Sequence, residues 1–303
     1  MHFAEVARTN NVAPGALNEQ SAARASGAKG TVLNQQLRTH DEVNKGQLRQ
    51  WEQAEITRSR IEATLTASNE LRTDEANITR YMAPPETTPY PLEYAFHLLG
   101  NIRGKTVIDL GCGSGLNSLI LARRGAKVVG VDISESLLGM ASQRAALNNL
   151  EHPPHFVASS AHDLPFKEES ADLVLGIAIL HHLDLGLIAE QTWRLLKPGG
   201  RAIFQEPIRN SAVLRAIRRA IPYRAPDVSP FERPLLDEEI TTFASRFSAS
   251  RSRVFSLPFV NLAKVVGLKR PHLHRLYEYD ARILRKHPRL GKYCSVRVVE
   301  VTK

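Results

Sequence analysis

The sequence predicts an α/β fold, a seven-stranded, mostly parallel sheet with helices on both faces. A helical N-terminal extension precedes it, and two insertions interrupt its C-terminal third. Two observations carry this reading. Between residues 106 and 205 short apolar runs alternate strictly with helix-length segments, the pattern of a parallel sheet covered by crossover helices. At the first strand-to-helix junction stands Asp109-Leu-Gly-Cys-Gly-Ser-Gly115, where glycines let the backbone turn sharply and approach a ligand closely.

The elements follow in order. Residues 1–40 are rich in Ala, Asn, Gly, Ser and Gln and hold too few large apolar side chains to offset their ordering entropy, so disorder is expected there. Residues 41–100 form the helical extension, expected to act as a lid. Its first part, 41–71, favours helix, but the apolar spacing (Val43, Leu48, Trp51, Ile56, Ile61, Leu65) is irregular and does not define a buried face. Prolines 84, 85, 89 and 91 break the chain before a helix over Leu92–Leu99. Residues 101–303 form the main domain. Strands are expected over Thr106–Leu110, Lys127–Val131, Phe156–Ser159, Ala171–Ile177 and Arg201–Gln205. Helices are expected over 115–124, 134–148 (N-capped by Ser134) and 187–196. Asp237 reads as the cap of a further helix, with Arg251–Leu257 and Tyr293–Val301 as closing strands. Residues 208–236 and 258–291 lie outside the repeating unit, as insertions that shape binding sites do.

Composition narrows the class. An apolar fraction of 43% with 23% charged residues suits a globular chain that buries a core. The longest apolar run, Leu173–Leu180, is far short of the roughly 20 residues that span a bilayer. The N-terminus lacks a secretory pattern, and Cys112 and Cys294 make no disulfide framework. A cytoplasmic location is expected. The net charge of +9 is uneven: residues 208–303 carry 20 Lys and Arg against 8 Asp and Glu, so the remainder of the chain is slightly acidic. Within that basic third, Asn210–Ile221 places Val213, Leu214, Ile217 and Ile221 on one stripe flanked by arginines, a face suited to an anionic membrane surface or to covering an apolar substrate.

The glycine loop excludes two common readings. A dinucleotide site would need glycine where Leu116 stands, and a P-loop would need a Gly-Lys-Ser/Thr ending. Asp132 follows the second strand, where a carboxylate accepts two ribose hydroxyls, and Ile133 offers an apolar face to a base. The successive motifs Val107–Gly115, Val128–Ser134, 162–166 (HDLPF), Asp172–Leu183 and 195–200 (LLKPGG) resemble the signatures of class I, Rossmann-like S-adenosylmethionine-dependent methyltransferases. They are most similar to the branch that includes quinone and other small-molecule C-methyltransferases (type 11-like). The resemblance covers residues 104–207 and implies S-adenosylmethionine as cofactor. It implies that Asp109, Gly111, Cys112 and Gly113 hold the methionine end, Asp132 the ribose, Ala161 and His162 the adenine edge, and Ile177 backbone the methionine portion. Ser160 stands where the family often carries an acidic residue, so the adenine contact is expected to be weaker or rerouted.

Attack on a sulfonium methyl needs a base only where the nucleophile arrives protonated. His181, His182 and Glu206 are the candidates, all expected near the C-terminal edge of the sheet, with Glu206 pointing into the cleft. No metal is expected: His272 and His274 lack ligand spacing with a partner. The expected activity is methyl transfer to a small hydrophobic or aromatic acceptor. Two other classes stand beside it, a methyltransferase gripping RNA or an acidic protein through the basic third, and a cofactor-binding scaffold without turnover. The apolar 177–180 segment, where amino-targeting nucleic-acid enzymes show a polar motif, disfavours nucleic acid.

Overall fold

The computed structural model describes residues 45–65, 71–212, 215 and 233–303, all within one compact unit, Val43–Lys303. The disordered segment expected over 1–40 and the basic helix expected over 210–221 lie outside the described residues, save for isolated positions of the latter.

The extension contributes α1 (Lys45–Leu65), α2 (Glu75–Met82) and α3 (Pro91–Leu99). Asp74 caps α2 by accepting from Ala76 N–H, and Pro91 opens α3 at a position where its missing N–H costs nothing. The α2 helix was not foreseen from sequence. The alternating region then gives β1 (Thr106–Leu110), α4 (Leu116–Arg123), β2 (Lys127–Asp132), α5 (Glu135–Leu147), β3 (His155–Ala158), β4 (Ala171–Ile177), α6 (Leu185–Leu195) and β5 (Leu196–Pro207). Ser134 caps α5 as expected, accepting from Leu137 N–H. After this come α7 (Asp237–Ala244), β6 (Ala249–Phe255), α8 (Pro258–Val265), α9 (Arg270–Lys286) and β7 (Val296–Thr302). Asp237 is the first residue of α7 rather than its cap; the exposed N-terminus is instead closed by Glu239, which accepts from Leu236 N–H at 2.8 Å.

The strands form one seven-stranded sheet in the order β3-β2-β1-β4-β5-β7-β6. The first five are parallel, and β7 enters antiparallel between β5 and β6. The order reverses between β1 and β4, which leaves a crevice above the C-terminal ends of β1, β2 and β4, the place where open α/β sheets bind ligands. One apolar core, with Phe96, Leu99, Val107 and Ile203, lies on one face of the sheet, and another, with Ile108, Val174, Phe204 and Phe243, on the other. The insertion 258–291 is α8 and α9. Asp280 ties it to the end of β6 by accepting from Ser256 and Leu257 N–H at 3.1 and 2.9 Å.

Several arginines of the basic third are occupied internally. Arg251 joins Arg201 on Glu300, Arg253 donates to the carbonyls of Glu86 and Thr88, and Arg297 pairs with Asp237. No helix among the described residues is long and apolar enough to cross a membrane.

Candidate active site

The chain leaves β1 through Gly111, Gly113 and Gly115, whose φ values of 68°, 51° and 78° are left-handed and therefore suited to glycine. Gly111 and Cys112 N–H both donate to Val131 carbonyl, at 2.8 and 2.9 Å, which laces the loop to the end of β2. There Asp132 completes the turn, accepting from Gly113 N–H at 2.8 Å and from Ser134 N–H at 2.9 Å. Burial raises the Asp132 pKa against these two backbone bonds. The two glycines have different tasks. A Cβ on Gly111 would lie 2.7 Å from Ile179 Cδ1, whereas one on Gly113 would meet nothing within 4 Å and would project into open space.

That space is a cavity of about 390 Å³ above the sheet edge. The sequence-expected residues Gly111, Gly113, Asp132, Ile133, Ser160, Ala161, His162, Ile177, His181 and His182 all line it. Three expected site residues do not. Asp109 is 1% exposed beneath the loop and accepts from Ser118 Oγ at 2.5 Å. Burial pushes it up to about 7 against the Ser118 bond, and the neighbouring Asp132 charge adds to the rise. Cys112 turns its buried thiol toward Gly130, where a Cβ would come within 3.0 Å of the sulfur, and burial drives its pKa upward.

Glu206 is the third and corrects the expectation that it points into the cleft. It is fully buried below the turn that follows β4. One oxygen accepts from Ile179 and Leu180 N–H at 2.9 and 2.8 Å; the other takes His181 Nδ1 at 2.8 Å and His181 N–H at 3.4 Å. Because a carboxylate only accepts, the Nδ1 proton of His181 lies on this bond. The turn from Ile179 to His182, wrapped over this anion, stands between Glu206 and the cavity. His162 is fixed in a comparable way: its Nε2 accepts from Asp184 N–H at 3.0 Å, and burial lowers its pKa.

The sequence reading expected a lid from the extension but named none of its side chains as site residues. Helix α1 brings Trp51, Glu52, Glu55, Arg58 and Ser59 over the opening. Glu52 accepts from Ser160 Oγ at 2.5 Å. Glu55 takes Arg58 Nε at 3.0 Å on Oε2, and its Oε1 lies 3.2 Å from His182 Nδ1. Burial works to raise the Glu55 pKa, but His182 and Arg58 outweigh it and hold the carboxylate at about 2. Beyond α1, Arg144 fastens the chain to the glycine loop, donating to Ser114 carbonyl and to Leu71 carbonyl and Thr73 Oγ1. The irregular apolar spacing of α1 was the available signal: a helix that presents carboxylates to a cavity has no continuous apolar stripe.

Residues 108–204 match a methyltransferase domain family. A ubiquinone biosynthesis O-methyltransferase of Photorhabdus laumondii is 30% identical over 181 residues, 56% of this chain and 73% of that one. The chain belongs to the class I S-adenosylmethionine-dependent methyltransferases, type 11 branch. Another relative in this group, the ubiquinone biosynthesis O-methyltransferase of Pseudomonas fluorescens, is 33% identical over 144 residues, 44% of this chain. The chain spans 61% of that relative and 51% of the one from Alkalilimnicola ehrlichii. Among solved structures, a geranyl diphosphate C-methyltransferase from Streptomyces coelicolor superposes with a TM-score of 0.49 at 17% identity, over 76% of this chain and 88% of that one. An S-adenosylmethionine-dependent methyltransferase from Methanosarcina mazei does so at 0.48 and 19%, over 68% and 96%.

Proposed function

We propose that the protein transfers the methyl group of S-adenosylmethionine to a small, hydrophobic or aromatic acceptor by in-line displacement. The observation that carries this reading is the cavity at the reversal point of the sheet, where bare Gly113 backbone and the Asp132 carboxylate meet an apolar wall of Ile133, Leu137, Ile177 and Ile179. The residues suit the cofactor. Gly113 leaves room that a Cβ would fill, and each Asp132 oxygen, holding one backbone N–H, keeps a lone pair for a ribose hydroxyl. Bound there, the cofactor supplies an electrophilic methyl carbon on a sulfonium sulfur.

The chain's own groups then position, exclude water and handle a proton. His181, which lines the cavity, is the residue we assign to take the proton of a hydroxyl acceptor, and Glu206 positions it by holding Nδ1–H. His182 stands beside it, ring centroids 4.0 Å apart. Among the described residues of the extension expected to act as a lid, α1 alone lines the cavity and serves as the lid, whereas α2 and α3 bury Ile78, Phe96 and Leu99 in the core on the sheet. The ubiquinone biosynthesis relatives support a lipophilic acceptor. The internal pairing of Arg251, Arg253 and Arg297 weighs against the RNA or protein reading, since those cations are committed to the fold. The test is incubation with methyl-labelled cofactor and a lysate divided into lipid, RNA, protein and small-molecule pools. Label in the lipid or small-molecule pool is expected; label confined to RNA or protein overturns the acceptor assignment, and label nowhere favours the scaffold.

A further inference from the structure

We propose that the turn joining α8 to α9 docks the protein on an anionic lipid bilayer. Leu262, Val265, Val266 and Leu268 enter the headgroup region, and Lys269, Arg270 and Arg275 meet the lipid phosphates. The docking itself does not depend on the methyltransferase reading. Helix α8 is apolar on two sides. Val260 and Ala263 are buried and make its contact with the domain, whereas Leu262, Val265, Val266 and Leu268 are 63%, 84%, 68% and 38% exposed. Single exposed apolar side chains are ordinary, and Ile61, Met82, Leu116 and Leu187 are of that kind, each on a different helix. Four within the stretch 262–268 form a patch, which marks a contact surface.

The patch is presented by an ordered turn. Gly267, with φ 70°, ends α8 in the left-handed conformation. Its N–H donates to Lys264 carbonyl and Leu268 N–H to Ala263 carbonyl, both at 3.0 Å, a pair of bonds that closes the helix end. The valines and Leu268 therefore project from fixed backbone, and Asp280 ties the same insertion to the end of β6.

Charge selects the occupant. Between Pro258 and Tyr277 the chain holds four Lys and Arg and no Asp or Glu. Lys264 rests its ammonium 5.3 Å over the Tyr277 ring, while Lys269, Arg270 and Arg275 are exposed and in no ion pair among the described residues. A second copy of the chain would set these cations against each other, and RNA would use them but leave the aliphatic side chains in water. An anionic bilayer satisfies both, taking the aliphatics below the headgroups while the Lys and Arg stems reach the phosphates. Position agrees. Strands β5 and β6 both run antiparallel to β7, so the end of β6 from which α8 departs lies on the sheet edge that holds the cofactor cavity. The anchor is thus rooted on the edge where a lipophilic acceptor would enter; that consequence, unlike the docking, rests on the methyltransferase reading.

The experiment is co-sedimentation of the full chain with vesicles of phosphatidylcholine alone and of phosphatidylcholine mixed with phosphatidylglycerol, without cofactor or acceptor. Binding to the anionic vesicles is expected to be at least about tenfold tighter than to the neutral ones, and to weaken as salt is raised. Val265→Ser with Val266→Ser leaves every charge in place and is expected to lose at least about tenfold in affinity for the anionic vesicles. Lys269→Gln with Arg270→Gln is expected to lose at least about tenfold as well. All four positions are exposed, so both variants are expected to melt and to bind S-adenosylmethionine as the wild type does. No binding to anionic vesicles, or equal binding to the two compositions, overturns the proposal on the wild-type chain alone. Vesicle affinity that survives either pair of substitutions overturns it too: loss with the cations only is the behaviour of a polynucleotide surface, and loss with neither puts the contact elsewhere. A dimer in analytical ultracentrifugation that the serine pair converts to monomer gives the patch to a second copy and also overturns it. Each of these outcomes leaves the methyltransferase assignment standing, because cofactor binding is titrated without lipid.

Discussion

Replacing Glu206 by Gln tests how the turn after β4 is held. The carboxylate accepts three hydrogen bonds of 2.8–2.9 Å and a longer one of 3.4 Å with no access to solvent. The amide keeps one oxygen, which can serve Ile179 and Leu180 N–H as a neutral acceptor. Its NH₂ then faces His181 Nδ1–H and N–H, donor against donor. Bonds to a charged acceptor contribute about 1.5–3 kcal/mol each, and breaking a buried charged pair costs about 3–5 kcal/mol; we expect a loss of about 3 kcal/mol. For a domain of this size that is a drop in Tm of about 6–12 °C. His181 can relieve part of the clash by moving its proton from Nδ1 to Nε2, so that Nδ1 accepts from the new amide. Denaturant unfolding gives the stability, and nitrogen-15 resonances of His181 give the tautomer. A loss below about 1 kcal/mol together with an unchanged His181 tautomer would refute the idea that Glu206 anchors this turn.

Two further predictions concern the loop. Gly113→Ala is expected to lose only the roughly 1–2 kcal/mol of a left-handed alanine yet to weaken S-adenosylmethionine binding at least about tenfold, because its methyl enters the cavity. Gly111→Ala, whose Cβ would meet Ile179 at 2.7 Å, is expected to be the less stable of the two in thermal melts. Asp109 concerns pH. Its ordinary value of 3.8 is raised to about 7 in the folded chain, so between these values the native state holds a proton that the unfolded state has released. Stability must therefore fall as pH rises through about 4 to 7, by at most roughly 4 kcal/mol. Asp109→Asn should flatten that decline in urea midpoints measured across the window; an unchanged slope would assign it to other groups.

The sequence made the alternating core legible because each signal there is local. Strand Ala171–Ile177 is apolar on both faces because helices cover both, and Ser134 caps its helix through a bond three residues away. Asp132 was readable since a carboxylate at a strand end after a glycine loop has few other uses. What escaped was set by distant contacts. Glu206 looked cleft-facing from its place at the end of β5, but the turn that buries it comes from residues 179–182, and no spacing rule connects the two. Glu52 was invisible as a site residue because its partner, Ser160, lies 108 positions away. Ser160 was expected at the adenine edge, and its hydroxyl donates to this carboxylate from α1. The short α2 was masked by the prolines that follow it, whereas its actual determinant is the single cap at Asp74.

The central claim is that Asp132 and the glycine loop form the cofactor site. Its most direct test is calorimetric titration of Asp132→Ala with S-adenosylmethionine beside the wild-type chain, with circular dichroism to show that both are folded. The variant loses the acceptor that orders Gly113 and Ser134 N–H as well as the one that would meet the ribose. Wild-type binding at one site per chain, abolished in the folded variant, is the predicted result. Unchanged affinity in Asp132→Ala would contradict it.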